Sequence, residues 1–159
     1  MKHLVEEYKV VQLTPPVTSN GGVATDIISL KNCNMLYIVA EMTQAAAHAT
    51  VLAPQQATDV SGTGAKVLAN AVKVWANEDT AASDTLVAQT DAVNYTVTAD
   101  AKNKQVVFQI DPALLDLANN FDCIKLTFSD SSEATNFVSA TAYLDYRYGA
   151  NQPETAITD

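Results

Sequence analysis

The sequence predicts an all-β fold: an antiparallel β-sandwich or jelly-roll-like barrel with one short helix at about residues 112–119. Three observations carry this. Apolar residues alternate with polar ones over most of the chain. The alternating runs are short and follow one another at roughly eight- to twelve-residue spacing. Between them lie clusters of Asn, Asp, Ser and Gly, which favour turns because their side chains bond nearby backbone or tolerate unusual dihedrals.

The elements follow in chain order. Residues 1–7 read as a polar arm, and "PPVTSNGG", residues 15–22, as a loop. "TDIISLK" reads as a strand. "MLYIVAEM" is apolar on both faces and therefore reads as a central strand. "HATVLAPQ" continues the alternation, with His48, Thr50 and Leu52 in phase, and "QQATDVSGTG", 55–64, reads as a loop. "GAKVLANAVKVW" fits two periods: Leu68, Ala71, Val72 and Trp75 share a helical face, while Val72, Val74 and Ala76 share a strand face. β-Branched residues favour a strand from Ala71 to Ala76.

"NEDTAASD", 77–84, and "ADAKNK", 99–104, read as tight connections. "VNYTVT" aligns Val93, Tyr95 and Val97, and "KQVVFQID" aligns Val106, Phe108 and Ile110. In "DPALLDLANN", Asp111 can cap, Pro112 occupies the first helical position, and Leu114, Leu115 and Ala118 share a face, which predicts a short helix closing one end of the sandwich. "CIKLTF" aligns Ile124, Leu126 and Phe128. "NFVSATAYLDYRY" puts Val138, Ala140, Ala142, Leu144 and Tyr146 on one face and Phe137, Ser139, Thr141, Tyr143 and Asp145 on the other. The closing "GANQPETAITD", 149–159, is polar without a period and reads as a second arm.

The 159 residues fit a single domain, 1–159, large enough to bury a core without staples. Apolar residues make up 48% and charged residues 17%, a globular composition. Nine basic residues face eighteen acidic ones, for a net charge of −9, and no basic run exists. Nucleic acid and anionic membrane are therefore not expected as partners, since both require clustered cations. The N-terminus does not read as a signal peptide, because Glu6 and Glu7 interrupt its short apolar run.

The residues of chemistry are sparse and scattered. Cys33 and Cys123 belong to no CxxC pair, and His3 and His48 are distant from both, so no zinc site is legible. The plainer reading is two reduced thiols; spacing leaves a disulfide open. "SGTGAK" lacks a phosphate loop's spacing, because Ala65 separates Gly64 from Lys66 and Val67 stands where a hydroxyl is needed. "NEDTAASD" lacks the Gly and terminal Glu of a calcium loop. Glu78, Asp79, Asp111, Asp116 and Asp122 read as turn formers or caps rather than acid–base pairs. Trp75, Tyr95, Phe108, Tyr143, Tyr146 and Tyr148 could form a sugar-stacking shelf, although core packing is the simpler use. No catalytic, cofactor-binding or metal residue is expected, and the chain is not expected to be an enzyme.

Four stretches carry a resemblance: "QATD-SGTGAK", Gln56 to Lys66; "VWANEDTAASDTLV", Val74 to Val87; "QVVFQIDPALLD", Gln105 to Asp116; and the closing "ATAYLDYRY". Over about the last two-thirds of the chain, they resemble small virion structural proteins of tailed bacteriophages, of the auxiliary type that decorates or cements a capsid. The resemblance implies a non-enzymatic homo-oligomer, a trimer by preference, on the outer head surface of the virion, with the major capsid protein as partner. It transfers no catalytic residue. The contacts are expected in the arms, at Met1, Lys2, His3, Leu4, Gln152, Pro153 and Ile157, and along exposed sheet edges. The alternatives are a tail-tube or head–tail joining subunit and, in a different class, a receptor- or carbohydrate-binding module.

Overall fold

A computed structural model describes residues 3–147. One helical turn, α1 (Leu4–Glu7), leads into twelve strands: β1 (Tyr8–Thr18), β2 (Val23–Ala24), β3 (Ile28–Ser29), β4 (Cys33–Gln44), β5 (Val51–Ala57), β6 (Lys66–Val67), β7 (Lys73–Asn77), β8 (Val87–Ala88), β9 (Tyr95–Thr96), β10 (Asn103–Ile110), β11 (Cys123–Phe128) and β12 (Asn136–Tyr146). They form two open sheets. Sheet A runs β1-β12-β4-β10-β7-β8 and sheet B runs β2-β11-β5-β6, with β3 added on β11 and β9 on β5. Every pairing is antiparallel. The sandwich is thus observed, and the barrel alternative is not.

The period of two builds the core. In β4 the inward residues Leu36, Ile38, Ala40 and Met42 are buried, matched in β10 by Val106, Phe108 and Ile110 and in β12 by Val138, Ala140, Ala142 and Leu144. Sheet B supplies Leu52, Ile124, Leu126 and Phe128 to the same cluster. Registry follows the pattern: Ala140 pairs with Ala40, Ala142 with Ile38 and Leu144 with Leu36. A one-residue slip would turn all these side chains to solvent, so burial itself fixes the register.

Several expectations need correction. "PPVTSNGG" is not all loop, because β1 continues through Pro15 and Pro16 to Thr18. The strand is an edge, paired only with β12, and its register shifts at Gln12/Thr14 and Thr14/Val17. Proline lacks an N–H and is tolerated at such bulged edges. Residues 55–57, read as loop, belong to β5. The turn proper starts at Thr58 and is held by Asp59, whose Oδ1 accepts from the N–H groups of Ser61 at 2.9 Å and Thr63 at 3.1 Å. "TDIISLK" and "VNYTVT" pair over two residues each. His48 lies in the β4–β5 connection rather than in a strand.

The helix expected at 112–119 is two 3-10 turns, Pro112–Leu114 and Leu117–Asn119. Asp111 caps the first as expected, its Oδ1 accepting from the Ala113 N–H at 2.8 Å. The break falls at Leu115, which is extended, and the Asp116 N–H donates to Gln56 Oε1 at 2.8 Å instead of to a helical carbonyl. A bond to sheet B thus replaces a helical one.

Of the expected arms, residues 4–7 form the α1 turn, with the His3 N–H donating to Glu6 Oε2 at 2.9 Å. Met1, Lys2, Gln152, Pro153 and Ile157 lie outside the described residues. The expectation of open strand edges also shifts. The edge strands β2, β6 and β8 are two residues long, and β1 is bulged, which are common ways of blunting an edge. Among the described residues no helix is long and apolar enough to cross a membrane.

Candidate functional site: the outward face of sheet A

The alternation that fills the core sends every second residue of β4, β10, β12 and β7 outward. These residues form ordered rows across the sheet. One row runs Val10, Tyr143, Tyr37, Gln109, Lys73; the next runs Thr141, Val39, Val107, Trp75, Ala88. A third runs Ser139, Glu41, Gln105, Asn77. The first row is apolar or aromatic from Val10 to Tyr37 and ends on Gln109 and Lys73, the second is apolar apart from Thr141, and the third is polar.

The apolar part forms a depression of about 300 Å³ lined by Leu4, Tyr8, Tyr37, Val39, Val107 and Tyr143. The α1 turn places Leu4 at its rim, 55% exposed. Tyr8 and Tyr37 meet edge to face, with ring centroids 6.2 Å apart. Burial, with Tyr8 and Asp145 nearby, raises the Tyr37 phenol above its ordinary pKa, so it is neutral at physiological pH. Of the expected contact residues, Leu4 is therefore at this surface.

A polar depression of about 380 Å³ lies between outward residues Glu41, Thr43 and Gln105 and the connection after β7, which contributes Ser83 and Asp84. That connection is tied down: Asn77 Nδ2 donates to the Ser83 carbonyl at 2.6 Å, and the Thr80 N–H donates to the Asn103 carbonyl at 3.0 Å. Lys102 sits 3.1 Å from Asp79. Its hydrogen bond and charge, with backbone N–H bonds, hold the Asp79 carboxyl below its usual range.

Among the described residues a cluster of buried ionisable groups forms where sheets A and B meet, and its Lys104 also lines the polar depression. Lys104 occupies the inward phase of β10 and its side chain is wholly buried. Its ammonium bonds the Thr98 carbonyl, Thr98 Oγ1 at 2.8 Å and Glu78 Oε2 at 3.1 Å. Glu78 also accepts from the Tyr95 hydroxyl at 2.7 Å and from Thr98 Oγ1 at 2.9 Å. Burial pushes the Glu78 carboxyl up, but the hydrogen bonds from Tyr95, Lys104 and Thr98 outweigh it and bring it below the usual range. Burial and the Glu78 charge raise the Tyr95 phenol. The ammonium's three donors are all occupied, so this cluster is a staple between sheets. The sequence carried its signal: Lys104 is in phase with Val106, Phe108 and Ile110.

Cys33 and Cys123 are both free and buried. Burial raises their thiols to about 11 and about 12 respectively. Both are protonated and weakly nucleophilic at neutral pH. Neither depression is lined by either cysteine or by His48. Among the described residues no three His, Cys, Asp or Glu side chains gather as a metal site. Asp116 pairs with Lys66 at 2.6 Å and Asp91 with Lys73 at 2.8 Å. Tyr148 lies outside the described residues, and the other aromatics disperse: Phe108 is core, Tyr95 and Tyr146 pack against the core, and Trp75 is 38% exposed on the outward face, contrary to its expected core use. Trp75 and Tyr143 are separated by β10 and β4, so they do not form one shelf.

No family model matches the sequence, and no curated protein matches it. Among solved structures it is similar to the crystal structure of the SPBc2 prophage-derived protein YomS, with a TM-score of 0.49 and 9% identity over 87% of this chain and 92% of that one. The assignment of the fold rests on the strand pairing itself.

Proposed function

We propose that this chain is a structural subunit of a tailed-phage particle, a decoration protein of the head that acts through surface contact. The observation that carries the reading is the outward face of sheet A. Its apolar rows contribute nothing to the buried core, and the depression there is lined by Leu4 of the α1 turn and by residues of sheet A itself. Apolar surface gathered in one patch favours contact with another macromolecule. The resemblance in the sequence supplies the setting, with the major capsid protein as partner and a trimer as the assembly. A subunit that binds the assembled shell and not its separated parts stabilises the shell by mass action. Many copies on one lattice add avidity. An acidic surface suits the outside of a DNA-filled head.

The test is to add purified protein to particles stripped of it. Binding that raises the temperature at which shells open supports the reading; absence from virions and no binding to shells ends it. A ring of six or twelve by mass measurement would move the chain to the tail tube or head–tail joint. The exposed Trp75 favours a second reading, a carbohydrate-binding module. That reading predicts a shift in tryptophan emission on glycan titration.

A further inference from the structure

We infer that the outward face of sheet A is a groove for an extended polypeptide segment of a partner, one carrying an apolar anchor and, about four residues along, a Lys or Arg. The inference rests on the contact role proposed above and names the chemistry of the contact. The two depressions lie along the same two strands. On β4 the outward residues run Tyr37, Val39, Glu41, Thr43, and on β10 they run Gln109, Val107, Gln105, Asn103. Outward positions are about 7 Å apart, so Tyr37 to Thr43 spans about 20 Å, the length of about six extended residues. The groove is bounded at one end by Leu4 of α1 and at the other by the pinned connection carrying Ser83 and Asp84.

Charge selects the occupant. The apolar end accepts an aliphatic or aromatic side chain. The polar end presents two exposed carboxylates, Glu41 and Asp84, and no ion pair among the described residues reaches either. Among the described residues the one cationic residue lining the polar depression is Lys104, whose ammonium is turned into the core toward Glu78 and Thr98. The end is therefore uncompensated and attracts a cation. A chain of net charge −9 is a poor occupant for another copy's acidic groove, which favours a basic segment of a different protein.

The test is to pan a displayed library of random dodecapeptides against the purified chain. The enriched peptides are then measured against wild type, Tyr37→Ser, the pair Glu41→Lys with Asp84→Lys, and Val67→Lys on the sheet B edge as a control. Melting curves verify that each variant is folded. The expected result is enrichment of an apolar residue with Lys or Arg three to five positions away. Tyr37→Ser and the double charge reversal should each weaken binding at least about tenfold, and Val67→Lys should leave it unchanged. Binding should also weaken as salt is raised. No enrichment over an unrelated acidic protein, enrichment of acidic peptides, or binding insensitive to the groove variants would overturn the inference. Stripped particles that take up the Tyr37→Ser and charge-reversed variants as well as wild type would overturn it while leaving the contact role intact. Loss of wild-type particle binding with the peptide result standing would remove the role and keep the groove.

Discussion

The two faces of sheet A are written by the same strands in the same alternation, yet they answer to different demands. Inward, β4 places Leu36, Ile38, Ala40 and Met42 against sheet B, and each is at most 3% exposed. Outward, the same strand places Tyr37, Val39, Glu41 and Thr43, none of which belongs to the buried core. A fold that needed only a water-facing surface there would be served by polar residues throughout. The outward face is instead apolar at one end and acidic at the other, the contrast on which the proposed contact role rests.

The comparison is sharpest where neighbours in sequence differ in face. Phe108 is fully buried, and Phe108→Ala should cost about 3–5 kcal/mol in a urea melt, from lost transfer energy and the cavity left behind. Val107→Thr, one residue away and outward, should change stability by less than about 1 kcal/mol. Equal losses would break the distinction between faces.

The staple between sheets gives the next effect. Glu78→Gln leaves the buried Lys104 ammonium without its counter-charge and should cost about 3 kcal/mol by thermal or chemical melting. Replacing both, Glu78→Gln with Lys104→Met, should recover part of that loss, as removal of a buried pair costs less than orphaning one member. A double variant weaker than the sum of the singles would show that the cluster does not act as a pair.

Acid gives a smaller and graded effect. The Glu78 carboxyl lies below its ordinary pKa in the folded chain. Its contribution is therefore complete above the unfolded value, about 4.3, and is lost as pH falls through the folded value. Asp79, Asp116 and Asp130 are lowered as well and act with the same sign. Stability measured against pH should fall on acidification, and less steeply in Glu78→Gln. The smallest effect belongs to the exposed Lys73–Asp91 pair, whose removal by Lys73→Ala should shift stability by less than about 0.5 kcal/mol.

The inward face was largely legible in the sequence, because its period of two matches strand geometry in β10, β11 and β12. β1 escaped for a local reason: two bulges and the Pro15–Pro16 pair break its alternation. The 112–119 helix was misjudged because Gln56, sixty residues away, takes the Asp116 N–H. The outward face was legible only in fragments. Tyr143 was placed opposite the core, and "MLYIVAEM" was apolar on both sides, but strand order is needed to bring Tyr37, Val107 and Tyr143 together. Lys104 falls in "ADAKNK", whose composition favours a turn, although its phase in β10 marks it as inward.

The most direct measurement is hydroxyl-radical footprinting of the chain, free and within purified particles. The account predicts that Tyr37, Tyr143 and Trp75 lose reactivity in the particle, while Val67 and Lys125 on sheet B keep theirs. Protection centred on sheet B, with Tyr37 and Tyr143 as reactive as in the free chain, would contradict it.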